Sequence, residues 1–402
     1  MVTGEIVPHP NADVVAASEV PSLMDAIRPQ WQAKGLIERV RRLLPVDPSS
    51  ACQRLFNAAV ADLRDKVKIA GIDIAKEAAA SFKLPPVDRA DDIDNYSTAK
   101  ILDLAFHIGL LSRPEWRRML RVYDIRRDLE HEDSEYEAGI EDCIYIFKTC
   151  IEAVLSKDPV SLIKASEVRQ IIEAAGPAVA GDDLIEDFEH APDPRQLAIL
   201  RMLVGVALSE KEPDLVRQNA YVVLGTLGAV TRDGVRVQLA KDIQDDLGRR
   251  PLTELEVRVA STAGILPYLR KTQRVGFFKS YYEQMRQIGY EWRSNASHGA
   301  LLRPLSEFGG IAAIPDDVRK NIVKWLALCY IGEPGGYGDY GRNRRVFYSN
   351  SGVPIVEELF AASRDSVRSV LDELTNDRDV KRACANKDIG RRYQELLDLV
   401  SD

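Results

Sequence analysis

Residues 49–67, SSACQRLFNAAVADLRDKV, decide the fold class. Phe56, Val60, Leu63 and Val67 recur every three or four residues, so at 3.6 residues per turn they share one face of a helix. The preceding DPSS offers Ser49 or Ser50 as an N-cap whose hydroxyl oxygen satisfies an orphan amide. An apolar face of this kind needs partners, and the same period supplies them along the chain. Ile101, Leu104, Ala105 and Ile108 restart it after the polar break KLPPVDRADDID. Ser134 and Glu137 have the spacing of a capping box ahead of Ile140, Ile144, Phe147, Ile151 and Val154. Later, Phe278, Tyr282, Met285 and Ile288 form one stripe, and Val318, Ile322, Trp325 and Cys329 form another. Period-two alternation is rare, so the chain reads as all-α.

Breaks divide it. Residues 1–30 read as a flexible leader, 31–160 as a first helical domain, 161–270 as a helical middle segment and 271–402 as a second domain with C-terminal helices. The middle segment is punctuated by AAGPAVAGDD, HAPDPR, SEKEPD and GRRPL, without a repeat strong enough to define a solenoid. The Gly/Tyr-rich GEPGGYGDYGRNRR reads as a loop, followed by helices around 353–376 and 391–400.

At 402 residues, with 45% hydrophobic and 29% charged residues, the chain has the composition of a folded protein with more than one core. Its net charge of -8 gives no bulk attraction for nucleic acid, so such binding requires a local patch. Five cysteines without a CxxC pair or zinc-ligand spacing suggest neither a disulfide framework nor a metal site, and fit reduced thiols in a cytoplasm. The N-terminal residues lack a basic n-region and an apolar h-region. The most apolar runs, LAILRMLVGVAL and IVKWLALCYIG, are too short to span a membrane. No Walker-type loop occurs, and no cofactor is expected.

The chemistry-bearing stretch is YDIRRDLEHED, residues 123–133. Arg126 precedes His131 by five positions, which leaves their directions about 140° apart on an ideal helix, whereas Arg127 and His131 share a face. The same spacing returns in YEWRSNASHGALLRP, with Arg293 and His298. Each copy follows one helical segment and precedes another.

RRDLEH and RSNASH resemble the signature of HEPN domains, in which arginine is followed by histidine after four to six residues. These are small helical bundles found in RNA-cleaving toxins, antiphage effectors and CRISPR-associated ribonucleases. The resemblance covers residues 46–157, where residues 49–67 look like the family's first helix and IEDCIYIFKTCIEAVL like the helix after the motif, and it extends more loosely over 272–332. It implies a metal-independent RNA endonuclease, a toxin or antiphage-defence effector, with two motifs facing each other across an interface. Arg126 and Arg293 fall where the family's arginine stands, and His131 and His298 where its histidine stands. A homodimer is the implied assembly, and a regulatory protein partner is compatible with it.

The residue types suit that chemistry. Attack of a ribose 2′-hydroxyl on the adjacent phosphate needs proton transfer near neutral pH, which histidine performs, and a cation against the growing oxyanion charge. Arginine's planar fork grips two phosphate oxygens at once. Arg127, Asn295, Arg342, Arg344 and Arg345 are the candidates for holding RNA, and the aromatics between residues 337 and 348 for stacking on its bases. Asp124, Asp128, Glu130, Glu132 and Asp133 oppose an RNA backbone, which leaves open that the first copy is a structural ion-pair network and only the second is catalytic. A non-catalytic helical binding or scaffold protein is the alternative for the whole chain. His107, within ILDLAFHIGLL, reads as a histidine satisfied on a helix face.

Overall fold

A computed structural model describes residues 19–130, 138–337 and 343–401. Helices account for nearly all the regular structure there, and a two-stranded antiparallel sheet is the exception, so the chain is all-α. It divides into two compact units, one holding residues through 169 together with 182–198, the other holding 170–181 and 199–402. Residues 161–270 are thus shared between the units.

Helix Pro48–Ala70 is the axis of the first unit. Thirteen of its 23 residues are buried, Phe56, Val60, Leu63 and Val67 among them, because helices Gly35–Leu43, Thr98–His107, Arg113–Glu130 and Ile140–Cys150 all pack on it. Asp47, not a serine, caps it: the carboxylate accepts the Ser50 amide at 2.9 Å, and Pro48 fills the first helical position, where no amide is needed. The Ser49 hydroxyl oxygen is engaged by the Ala138 amide at 3.0 Å instead. The Ser134/Glu137 capping box lies outside the described residues; at the described start of helix 140–150, Asp142 accepts the Gly139 amide. Cys143 and Cys150 are buried, and the Cys143 and Cys52 sulfurs lie 3.5 Å apart as free thiols in the core.

Residues 19–30, expected as part of a loose leader, are packed: Val20, Met24 and Ile27 are buried, and Trp31 follows them into the core. The cause is a buried charge cluster. Asp62 pairs with Arg28 and, at 3.1 Å, with Lys66, and accepts the Trp31 indole N–H at 2.6 Å. Helix 140–150 runs on into a π-helical turn, Ile151–Leu155, whose displaced carbonyls serve the same cluster: Val154 accepts from Lys66, and Leu155 from Arg28 Nε at 3.3 Å. Burial lowers the Lys66 pKa, and the neighbouring Asp62 carboxylate opposes that shift. Residues 182–198 join this unit through Arg195, whose Nε donates to Ile163 O at 2.6 Å and whose guanidinium pairs with Glu77 at 3.1 Å.

In the second unit, buried Asn219 ties down residues 172–178. Its amide donates to Ile172 O and Gly176 O, and its oxygen accepts the Ala178 amide. Helix Asp316–Ile331 is the axis here, packed by Lys271–Ile288, Val353–Ala362, Arg364–Leu374 and Lys387–Leu399. Val318, Ile322, Trp325 and Cys329 are buried, as their spacing predicts. On helix 271–288 the inward stripe is Phe277, Phe278, Tyr281 and Met285, with Tyr282 only half-buried. The shift by one position has a cause: Phe277 and Tyr281 meet Phe308 edge to face at 5.1 and 5.5 Å, and the Tyr281 hydroxyl donates to Leu301 O.

The Gly/Tyr segment is more regular than its composition suggests. Glu333–Tyr337 pairs antiparallel with Asn343–Phe347, with Pro334 opposite Val346 and Gly336 opposite Arg344. Glycine and proline weaken strand signals, yet Gly335 is required here, since a Cβ on it would strike the Arg344 carbonyl. Among the described residues, no helix is long and apolar enough to cross a membrane.

Candidate functional site

The arginines of the first motif lie in the last turns of helix Arg113–Glu130. This helix carries six arginines against four carboxylates on a chain that is acidic throughout, which makes it a local cationic element. Arg126 is half-buried and Arg127 exposed. The Arg127 guanidinium lies over the Tyr123 ring at 5.9 Å, and Tyr123 stacks on Phe56 of helix 48–70 at 6.2 Å, so the exposed cation is braced from the core outward. Gln53 Nε2 donates to Leu129 O at 3.0 Å. With the Ser49–Ala138 bond, this fastens both flanks of residues 131–137 to the first turns of helix 48–70. His131 lies outside the described residues.

The second motif is built differently. Helix 271–288 stops at Gly289, whose φ of +78° suits glycine, and Trp292–Ser294 form a 3-10 turn before helix Asn295–Glu307 begins. Arg293 is exposed on that turn and pairs with no carboxylate among the described residues. His298, in the first turn of the helix, is completely buried. Its Nε2 lies 2.9 Å from Gly289 O and its Nδ1 3.4 Å from Cys329 Sγ, with Trp325 edge-on at 5.3 Å. A carbonyl can only accept, so Nε2 carries the proton and Nδ1 accepts from the thiol. Burial lowers the His298 pKa, with the Gly289 contact and Glu291 opposing, and burial pushes the Cys329 thiol up to about 12. Both nitrogens of a neutral ring are used, and the imidazole reaches no solvent from which a phosphate could approach.

Neighbouring residues fix that burial. Asn295 Oδ1 accepts from Ser349 Oγ and the Ser351 amide, each at 3.3 Å, so this side chain holds the 349–352 turn. Gly299 and Gly352 let the two segments close: added Cβ atoms would lie 3.3 Å from Ser351 Cβ and 3.3 Å from His298 Cβ respectively. The structure therefore does not bring Arg293 and His298 together; one faces solvent and the other the core.

Of the remaining candidates, Arg344 and Arg345 are exposed on the hairpin, and Arg342 lies outside the described residues. Two aromatics nearby are already engaged. Phe347 meets Trp292 at 4.9 Å, and Tyr348 is covered by the Arg392 guanidinium at 4.1 Å. No group of three or more His, Cys, Asp or Glu side chains among the described residues is arranged to hold a metal ion. Compared with family models, with curated proteins and with solved structures, the chain matches none.

Proposed function

We propose that the chain is a metal-independent RNA endonuclease whose chemistry is carried by Arg126, Arg127 and His131, in the toxin or antiphage-defence setting that the HEPN resemblance implies. The observation that supports this reading is helix 113–130, a cationic element on an acidic chain that delivers two adjacent arginines, one half-buried and one braced on Tyr123, just before a histidine. In this reading His131 takes the 2′-hydroxyl proton as that oxygen attacks the adjacent phosphorus, the P–O5′ bond breaks as the second copy's His131 gives a proton to the leaving 5′-oxygen, and the arginine forks hold the non-bridging oxygens as charge grows on them. His298 is sealed in the core, so a site of two motifs draws both from copies of the first, one from each protomer of a homodimer.

A second reading, a non-catalytic helical binding protein, is favoured by that same sealed histidine and by the carboxylates interleaved with the first motif. Incubating labelled single-stranded RNA with the chain and a chelator separates the two. Cleavage leaving 2′,3′-cyclic phosphate ends, lost in His131→Ala and in Arg126→Ala, is the expected result. No cleavage by the parent chain, or cleavage unchanged in both variants, returns the function to binding.

A further inference from the structure

A ladder of four aromatic rings lies at the surface of the first unit, drawn from three separate elements. Phe82 stacks on His107 with centroids 3.6 Å apart and planes 12° from parallel. His107 meets Phe106 at 5.1 Å, and Phe106 stacks on Trp116 at 4.9 Å. Phe82 is 47% exposed, and the other three rings are half-buried. The ladder thus ends in a flat apolar ring that has the imidazole on one face and solvent around much of the rest.

The residue after Phe82 is equally unusual. Helix Ile72–Ser81 closes with the Leu84 amide donating to Ala79 O at 2.9 Å, a Schellman closure that places residue 83 in the left-handed region. Glycine takes that position at no steric cost, yet Lys83 occupies it at φ +54°. It is the one non-glycine residue with positive φ among the described residues, and it carries an exposed cation beside the exposed ring.

Two carboxylates beside the ladder are already partnered. Asp103 is occupied by the Trp116 indole N–H at 3.1 Å and by Lys100 at 3.5 Å. Glu115 is occupied by the Ser112 amide and hydroxyl and by Lys157 at 2.7 Å. Lys83, Arg113 and Arg117 are exposed and pair with no carboxylate among the described residues. Burial also lowers the His107 pKa, which keeps the ring neutral and suited to stacking.

We propose that this ladder is a stacking platform for the bases of single-stranded RNA, with Lys83, Arg113 and Arg117 holding the phosphates. Flat π-faces combined with unpaired cations match a strand whose bases are open, whereas a duplex has already used its stacking faces. An apolar protein surface would bury three cations without partners. Trp116 and Arg126 lie on one helix, ten residues and so ~15 Å apart along its axis, about four nucleotides at the ~3.4 Å rise of a stacked strand. A strand seated on the ladder would run along the cationic helix towards the first motif. The proposal rests on the ribonuclease reading only for the identity of the strand, since stacking itself needs no cleavage.

The test is binding of a short 2′-O-methyl oligouridylate, which resists 2′-hydroxyl attack, to the full chain by fluorescence anisotropy. Phe82→Ala is expected to weaken binding about tenfold, in line with the loss of one stacked base, while Phe82→Trp retains it. Lys83→Gly relaxes the backbone but is expected to weaken binding and flatten its salt dependence. Tryptophan emission should be quenched on binding, and the quenching lost in Trp116→Phe. No binding by the parent chain, equal affinity in folded Phe82→Ala, or competition by polyphosphate as effective as by oligouridylate would overturn the proposal. The 2′-O-methyl probe keeps this result distinct from the catalytic reading, since an oligomer that cannot be cleaved reports stacking whether or not the parent cleaves RNA.

Discussion

Arg126–His131 and Arg293–His298 share a spacing, but their arginines stand on different supports. At the second motif, a glycine-terminated helix and a 3-10 turn rotate the new helix so that His298 faces Cys329, Trp325 and the 349–352 turn, while Arg293 stays outside. At the first, the arginines stand on the last turns of a continuous helix, and the chain on either side of residues 131–137 is fastened to Ser49 and Gln53. Five residues of separation fix no direction by themselves. At the second motif, the start of a new helix between the two residues sends them to two environments.

The largest effect that would sharpen this comparison is catalytic. His131→Ala should lower the RNA cleavage rate by roughly 10²–10⁴-fold with an unchanged melting profile; a parent-like rate would remove the first motif from the chemistry. His298→Ala should act on folding, since it leaves a cavity beside Trp325 and strips the Gly289 carbonyl of its donor. A loss of roughly 2–4 kcal/mol in denaturant titration is expected. A loss below about 0.5 kcal/mol would break the contrast, because surface substitutions behave that way.

The pH dependence follows from the lowered His298 pKa. Between the folded value and the unfolded value of about 6.5, the unfolded chain binds more protons, so stability rises with pH. The contribution of a neutral His298 is full above about pH 6.5 and declines as pH falls towards the folded pKa. The stability difference between the parent and His298→Ala should therefore narrow on acidification, and a constant difference would mean that the ring does not titrate on unfolding. Arg293→Ala, at an exposed position, should change stability by less than about 0.5 kcal/mol. Among the smallest effects, Lys83→Gly should raise stability by roughly 0.5 kcal/mol in thermal melts, because relief of the left-handed strain exceeds the entropy that glycine adds to the unfolded chain.

Periodicity made the helical class legible, and it placed the 48–70 and 316–331 axes with their inward residues. It missed the one-position rotation of helix 271–288, because Phe277 and Tyr281 are recruited by Phe308, which follows the next helix. The hairpin was hidden by the glycines that its close backbone approach requires. The motif spacing was visible, but the burial of His298 depends on Cys329 and Gly352, far along the chain, and no local signal carries that. The aromatic ladder was illegible for a similar reason: Phe82, Phe106, His107 and Trp116 belong to three elements, and His107 alone looked like an ordinary helix-face residue.

The clamp of Arg28 and Trp31 on Asp62 governs where this protein tolerates trimming. A fragment designed to start at the first strongly periodic helix would discard both partners and strand a sealed carboxylate beside a single lysine, an omission worth about 3–5 kcal/mol. Boundaries chosen by helical pattern alone would then give a destabilised first unit, whereas a start ahead of Val20 keeps the clamp whole.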